Sequence, residues 1–325
     1  MINLITTYAG LTLRNPLIVS SSGLTDNIDK IKKLEKAGAG AIVLKSLFEE
    51  QIKYEADDLK SRTDYPQVED YLNYYVRNNS VDQYLKLIES ARKSISIPVI
   101  ASINCVSSAE WINFSKDIEK AGAHALELNV YVLPLVKDAP SKTYEEIYLK
   151  LAADIRKLIK IPIIFKLGQN FTNPVNLIDQ LYNRGIQAVV LFNRFYSPDI
   201  NIDEQKVVSS DVLSTPEEIR NSLRWVAIAS HFIEKIDIAA STGIHDGKAV
   251  IKQLLAGAKA VQVCSILYKK GPGYISEMLA ELGKWMTKNS FSSPDQFRGK
   301  MNYGNIKDPV VYERSQFMKY FSSQH

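Results

Sequence analysis

Two lysines and two asparagines stand at the ends of short apolar runs in this sequence. Lys45 closes the run AIVLK, Lys166 closes PIIFK, and Asn129 and Asn193 end two further runs. An ammonium group buried without a partner is very costly, so a buried lysine needs an anion or hydrogen-bond acceptors. A lysine that extends to the rim of the fold explains either residue alone. The four residues together predict a binding site for a ligand that carries anionic groups.

Small and hydroxyl-bearing residues follow the last two apolar runs. Ser241, Thr242 and Gly243 end one run, and Cys264 and Ser265 end the next. Glycine allows a ligand to approach the backbone closely, and hydroxyl groups can donate hydrogen bonds to phosphate oxygens. The ends of these two consecutive runs therefore predict a phosphate-binding site.

The elements that must position these residues are short apolar runs that alternate with amphipathic helical stretches. Near-continuous apolar runs are typical of parallel strands that are buried on both faces, and glycines before several runs suit left-handed helix ends. Eight such units, without a linker or a shift in composition, predict a single domain over residues 1–325 with an α/β fold, a closed (β/α)8 TIM barrel. The expected strands are Leu17–Gly23, Ala41–Ser46, Pro98–Asn104, Ala125–Tyr131, Pro162–Gly168, Ala188–Arg194, Asp237–Gly243 and Ala260–Ile266.

Further segments are expected to extend the barrel. Ile2–Tyr8 and Leu11–Leu13 predict an N-terminal β-hairpin that closes the barrel bottom. Residues 47–97 and 195–230 follow strands, so they are expected to form insertions on the C-terminal face, where the active sites of this fold lie. The aromatic residues after Ser290 are expected to pack on the barrel exterior or on a second copy of the chain in a homodimer.

The composition excludes several classes of protein. The 325 residues are 46% hydrophobic and 23% charged, and the formal net charge of +4 comes from 40 basic and 36 acidic residues that are interleaved. We therefore expect no nucleic-acid partner and no membrane span. The N-terminus lacks the pattern of a signal peptide, and two cysteines, Cys105 and Cys264, suit a reducing compartment. These features favour a cytoplasmic protein that has neither a metal site nor an iron–sulfur centre.

The order and spacing of the motifs resemble the class 1 dihydroorotate dehydrogenase family along nearly the whole chain. The resemblance implies an FMN-dependent oxidoreductase that acts on a CH–CH group, oxidises dihydroorotate to orotate in pyrimidine biosynthesis, and passes electrons to a second acceptor. The substrate would be a small planar or carboxylate molecule. The motifs that carry the resemblance are NPLIVSSSG, AGAGAIVLKS, ELN, IFKLG, LFN, STGI, GAKAVQVCSILYKKGP and SPDQFRGKMN.

The resemblance also assigns roles to the residues at the strand ends. It implies that Lys166 lies beside the flavin and stabilises its anionic reduced form. It implies substrate contacts from Lys45, Asn129 and Asn193. The residues implied to bind FMN are Ser21, Ser22, Gly23, Lys45, Ser46, Asn129, Lys166, Asn193, Ser241, Thr242, Gly243, Cys264 and Ser265.

Arg194 directly follows Asn193 and offers a planar cation at the same strand end. A guanidinium group can bind both oxygens of a substrate carboxylate at once. A surface ion pair with Asp199 or Asp203 explains the same residue equally well.

The sequence departs from the family at the position of the catalytic base. The family has a cysteine three residues after the asparagine of ELN, within N-L-S-C-P-N, whereas this chain reads N-V-Y-V-L-P and has Val132 there. Valine cannot accept a proton, and loss of a general base typically slows a reaction by about 10²–10⁴-fold. Tyr131 is a candidate replacement base or a wall of the pocket, and Cys105 offers a thiolate or fills the core. The family's N-x-x-G-x-x-N segment is absent from residues 47–97.

Three functions are consistent with these residues. The first is an FMN-dependent oxidoreductase of the dihydroorotate dehydrogenase type, with an altered substrate or an altered base. The second is an FMN-binding protein with little dehydrogenase activity, which the loss of the base at Val132 favours. The third is a flavin-free barrel enzyme that binds a phosphorylated substrate and uses Lys166 to form a Schiff base.

Overall fold

The computed structural model of the chain describes residues 2–48, 69–104 and 109–314. The strands are β1 (Thr6–Tyr8), β2 (Leu11–Leu13), β3 (Leu17–Val19), β4 (Ala41–Val43), β5 (Leu47–Phe48), β6 (Val99–Asn104), β7 (Ala125–Asn129), β8 (Ile163–Leu167), β9 (Ala188–Leu191), β10 (Pro198–Asn201), β11 (Lys206–Ser209), β12 (Asp237–Ser241) and β13 (Ala260–Val263). Eight of them pair in parallel in the order β4-β3-β13-β12-β9-β8-β7-β6, and β6 also pairs with β4. The sheet therefore closes, which confirms the predicted TIM barrel.

Helices alternate with the barrel strands and cover the outside of the barrel. Four helical connections end at a glycine with positive φ (Gly38, Gly122, Gly185 or Gly257), as the sequence predicts. No helix in the described ranges is long and apolar enough to span a bilayer. The helices are α1 (Ile28–Lys36), α2 (Glu69–Ser94), α3 (Ala109–Lys120), α4 (Ser141–Arg156), α5 (Pro174–Tyr182), α6 (Ile219–Phe232), α7 (Gly247–Ala256), α8 (Ser265–Lys270), α9 (Tyr274–Lys288) and α10 (Val310–Glu313).

The lower part of the barrel interior is apolar and is closed by the N-terminal hairpin. β1 and β2 pair as predicted, and their buried residues Tyr8 and Leu13 pack against the inward side chains of the barrel strands. Most of these side chains are small or β-branched, as a narrow barrel interior requires. The inward residues of this layer are Ile18, Ala41, Val43, Ile100, Ala125, Ile164, Ala188, Val190, Ala239 and Ala260.

A buried polar layer lies directly above the apolar one. Side chains of a strand alternate between its two faces, so the residue two positions further along points inward again. On six strands that residue is polar and buried. We call this set the polar layer; its members are Ser20, Ser102, Glu127, Lys166, Ser241 and Gln262.

The long connections lie where insertions were expected. In the first, β5 and α2 flank residues 49–68, which lie outside the described ranges. In the second, β10 and β11 form an exposed hairpin, and a capping box between Thr215 and Glu218 starts the helical segment that leads into α6. The start of the tail after α9 packs on its own barrel, because Phe297 is fully buried against the rings of Trp285 and Phe291; residues 315–325 lie outside the described ranges.

Candidate active site

The ends of five barrel strands surround a cavity of about 500 Å³, which we call the central cavity. Residues at the carboxyl ends of β3, β8, β9, β12 and β13 line it. This volume falls in the range of small-molecule and cofactor sites. The predicted site residues that line it are Ser21, Ser22, Lys166, Asn193, Arg194, Ser241, Thr242, Gly243, Cys264 and Ser265.

Lys166 is buried in the barrel interior, with 5% of its surface exposed. Its ammonium donates to Ser20 Oγ at 2.9 Å and to Gln262 Oε1 at 2.8 Å. The carboxylate of Glu127, on the neighbouring strand β7, lies 3.9 Å away. The buried lysine therefore has the acceptors and the anion that its burial requires, and the alternative that it extends to the rim is wrong.

Glu127 is fully buried, and Gln262 links it to Lys166. The amide nitrogen of Gln262 donates to Glu127 Oε2, while the amide oxygen accepts from Lys166. Burial raises the pKa of the Glu127 carboxyl, and the Lys166 ammonium and the Gln262 amide limit that rise. The second carboxylate oxygen, Oε1, makes no hydrogen bond to any described residue.

Asn129 joins a cluster of serine hydroxyl groups that includes Ser102 of the polar layer. Its Nδ2 donates to Ser46 Oγ at 2.8 Å and to Ser102 Oγ at 2.9 Å. Ser46 Oγ also lies 2.9 Å from the hydroxyl of Ser21, which lines the central cavity. Asn129 Oδ1 is buried but accepts no hydrogen bond within the described part of the chain. A buried, unpaired acceptor is costly, so it indicates a place for a ligand donor.

Lys45 and Tyr131 lie beside other cavities. Lys45 and Ser46 line a cavity of about 640 Å³ next to α1 and α2. Lys45 is half-buried, and its ammonium has no partner among the residues described. Tyr131 and Val132 line a cavity of about 300 Å³, and the Tyr131 ring stacks on Phe195 with centroids 3.8 Å apart. The described residues thus do not bring every predicted site residue to one cavity.

The tyrosines around Val132 differ in how their hydroxyl groups are bound. Tyr148 Oη donates to the carbonyl of Val130 and accepts from the Val132 amide, both at 3.3 Å, and burial raises the pKa of Tyr148 to about 12. Tyr144 Oη accepts from a backbone amide at 3.0 Å. The hydroxyl of Tyr131 makes no hydrogen bond to a described residue, so it is the least constrained of these groups.

The turn after β12 has an unusual backbone. Thr242 and Gly243 have φ of 73° and 75°, which only glycine adopts readily. A Cβ on Gly243 would lie 2.2 Å from the backbone nitrogen of Ile219, so the turn packs directly on the start of α6. The Thr242 hydroxyl donates to the carbonyl of Phe192 at 3.1 Å. Strained turns of this kind concentrate at ligand sites.

The end of β13 is joined to the connection before α6. Ser265 Oγ accepts from the backbone amide of Ser214 at 2.9 Å, and Ser214 Oγ lies 3.0 Å from His245 Nε2. Burial lowers the pKa of the His245 imidazole, with a further contribution from Lys269. Burial raises the pKa of the Cys264 thiol, so this cysteine stays a neutral thiol at pH 7.

Arg194 forms an ion pair at the edge of the central cavity. Its Nε lies 2.9 Å from Glu218 Oε2, and its Nη1 donates to the carbonyl of Val212 at 2.9 Å. Arg194 therefore does form an ion pair, but its partner is Glu218 and neither Asp199 nor Asp203. The guanidinium fixes the connection before α6 against the cavity that it lines.

Sequence reasoning missed the partners of Lys166. These partners are Glu127, Gln262 and Ser20, and they lie within or just after apolar runs. In the sequence each is a single polar residue in an otherwise apolar strand. The signal was the polar residue two positions after an inward apolar one, as in ALEL and AVQV. The hydrogen bonds between these residues could be identified only from the closed barrel.

Comparisons with known proteins identify the family of the chain. The family model described as "Dihydroorotate dehydrogenase" matches residues 3–286. The chain is 27% identical to the dihydroorotate dehydrogenase B (NAD(+)) catalytic subunit of Thermoplasma volcanium, over 92% of this chain and 98% of the relative. It is 28% identical to the protein of the same name from Methanocella arvoryzae, over 80% of this chain and 85% of the relative.

Gly243 offers a direct test of the turn beside the central cavity. In Gly243→Ala, a side chain meets both a left-handed backbone and the Ile219 amide, so we expect the free energy of unfolding to fall by at least about 1 kcal/mol. The matched control is Gly283→Ala in α9, where a Cβ meets no atom within 4 Å. That change should raise the free energy of unfolding by roughly 0.5–1 kcal/mol, measured by urea denaturation. A Gly243→Ala protein as stable as wild type would show that the turn is wrongly described.

Proposed function

The chain belongs to the dihydroorotate dehydrogenase family of FMN-dependent oxidoreductases, and on that premise we propose that it binds FMN in the central cavity and oxidises dihydroorotate or a related small planar carboxylate. The observation that carries the proposal is the buried Lys166 ammonium. Two acceptors hold it, and it lines the cavity with one of its three N–H groups uncommitted to any described residue.

The residues of the central cavity fit such a cofactor. The turn at Thr242 and Gly243 and the hydroxyl of Ser265 suit a phosphate group. Beside the cavity, Asn129 is linked through Ser46 to Ser21, and its buried Oδ1 lacks a donor. In this proposal the residues of the central cavity that hold FMN are Ser21, Ser22, Lys166, Asn193, Ser241, Thr242, Gly243, Cys264 and Ser265. Gly23, Lys45, Ser46 and Asn129 would bind it from the neighbouring strand ends, where Ser46 contacts both Ser21 and Asn129. When bound, FMN would supply the hydride acceptor.

The remaining roles belong to residues of the chain itself. Lys166 places a positive charge where negative charge develops during reduction. Lys45, Asn129, Asn193 and Arg194 bind the substrate, with Arg194 approaching a carboxylate through donors that its pair with Glu218 leaves free. Each of these contacts positions the substrate; none of them accepts a proton.

In this proposal the phenolate form of Tyr131 takes the substrate proton, which requires a lysine ammonium close enough to stabilise the phenolate. Val132 stands at the position of the family's cysteine base and cannot do so. The Tyr131 hydroxyl is free of hydrogen bonds to described residues, whereas those of Tyr144 and Tyr148 are engaged. Cys105 lies outside the described ranges, and the Cys264 thiol is held neutral by burial.

We further propose a cytoplasmic enzyme that passes its electrons to a second acceptor. The two relatives are named as catalytic subunits of an NAD(+)-linked enzyme, which supports a separate partner subunit for this chain as well. A homodimer is compatible with such an assembly.

Anaerobic addition of dihydroorotate to the purified protein tests the proposed activity. We expect loss of the visible flavin absorption in wild type, and a rate lower by about two orders of magnitude in Lys166→Met, because a charge that stabilises the transition state is removed. Lys150→Met, an exposed lysine of α4, is the control and should match wild type. An FMN-loaded protein whose spectrum does not change would instead support an FMN-binding protein with little dehydrogenase activity, the reading that Val132 favours.

Val132→Cys tests whether position 132 faces the substrate. A thiol there restores the family's base, so the rate of dihydroorotate oxidation should rise by about 10²-fold or more. Val132→Ala removes similar bulk without supplying a base and serves as the control, measured in the same stopped-flow assay. Equal rates in the two variants would show that position 132 does not face the substrate.

A further inference from the structure

A chain of polar contacts crosses the barrel interior beneath the central cavity. It runs from Glu127 on β7 through Gln262 on β13 to Lys166 on β8 and Ser20 at the end of β3. β7 and β13 lie on opposite sides of the closed sheet, as do β8 and β3. The contacts therefore depend on barrel closure and not on neighbouring strands alone.

We propose that Glu127 is a positioning residue that, through Gln262, fixes the Lys166 ammonium beneath the cofactor and offsets its charge. The proposal rests on the proposed function, because it concerns how Lys166 acts on bound FMN. It assigns a role to a residue that touches neither cofactor nor substrate.

The polarity of the hydrogen bonds supports the positioning role. A carboxylate only accepts hydrogen bonds and an ammonium only donates them, whereas an amide does both. Glu127 therefore accepts a hydrogen bond from the amide nitrogen of Gln262. The amide oxygen of Gln262 is left to accept from the Lys166 ammonium at 2.8 Å and from the Ser20 hydroxyl at 3.1 Å. With Gln262 turned the other way, two donors would face each other. Glu127 thus selects the orientation in which Gln262 accepts a hydrogen bond from Lys166.

The burial of Glu127 supports a role beyond stability. Burial raises the pKa of its carboxyl, so the stability that this group contributes is present below its unfolded pKa and is lost as the pH rises through the folded pKa. At neutral pH an ionised carboxylate in this place is a cost to the fold, offset in part by Lys166 and Gln262. Its Oε1, 3.9 Å from Lys166, has no hydrogen bond within the ranges described.

The charge balance of the pair has a consequence for a bound cofactor. With its carboxyl ionised, Glu127 balances the charge of Lys166, while a chain with glutamine at position 127 would keep the lysine charge alone. A more positive site stabilises an anionic reduced cofactor more strongly. The carboxylate therefore sets the midpoint potential lower than Lys166 alone would.

The test is the midpoint potential of bound FMN in Glu127→Gln at pH 7. We expect the equilibrium for two-electron reduction to shift at least ten-fold toward the reduced form, a rise of about 30 mV. Glu119→Gln is the matched control, because Glu119 binds only the backbone amides of residues 160 and 161 among the described contacts. The midpoint potential of FMN bound to this variant should equal that of wild type. An unchanged or lower potential in Glu127→Gln would overturn the inference while leaving the proposed function intact.

A double-mutant cycle on thermal unfolding tests the pair without reference to FMN. Glu127→Gln and Lys166→Met should each lower the unfolding midpoint, because each leaves one buried charge unpaired, and the double variant should recover part of the loss. Additive losses would overturn the inference, even if the single variants prove too unstable for potentiometry. Wild-type protein that takes up no FMN would defeat the proposed function, and the cycle would still decide whether Glu127 holds Lys166.

Discussion

A lysine ammonium buried inside a closed barrel must be compensated, and the floor of the central cavity is organised around that requirement. Lys166 is 5% exposed, and it meets two acceptors at 2.8–2.9 Å and a carboxylate at 3.9 Å. None of these partners comes from the residues adjacent to it in sequence. The apolar layer below, closed by Tyr8 and Leu13, keeps water from supplying the same contacts from the barrel bottom. The charge of the buried ammonium is therefore compensated by side chains that barrel closure brings to it from other strands.

Much of the fold could be predicted from the sequence because the signals were local. The apolar runs, the glycines at helix ends and the N-terminal hairpin all depend on residues within a few positions of one another. The observed strands are shorter than the predicted runs. The strand Leu17–Val19 stands for the run Leu17–Gly23, because Ser20, Ser21 and Ser22 leave the sheet to line the central cavity. An ion pair with Asp199 or Asp203 was one of two explanations for Arg194, and the structure pairs it with Glu218.

The partners of the site residues could not be predicted because they depend on barrel closure. Glu127 and Gln262 are far apart in the chain and on opposite sides of the sheet, and no local pattern joins them. Likewise, Lys45 and Tyr131 stand at strand ends like Lys166, but they line other cavities. The direction of a side chain at the last residues of a strand depends on how the following loop leaves the barrel, and the sequence does not specify this.

The site has two halves that differ in how well they match the family. The residues around Lys166 and Gly243 form a cavity with charged, hydroxyl and glycine positions suited to a phosphorylated ring. The residues around Val132 form a separate cavity with aromatic and polar walls and without the expected cysteine base. This division is consistent with a retained cofactor and an altered substrate or proton acceptor.

The central claim is that the cavity above Lys166 holds FMN, and the most direct measurement is the flavin content of the purified protein. After denaturation, the released chromophore should be FMN in an amount close to one per chain, and flavin-stripped protein should take it up again in the same ratio. A colourless protein that neither releases nor takes up FMN would contradict the account.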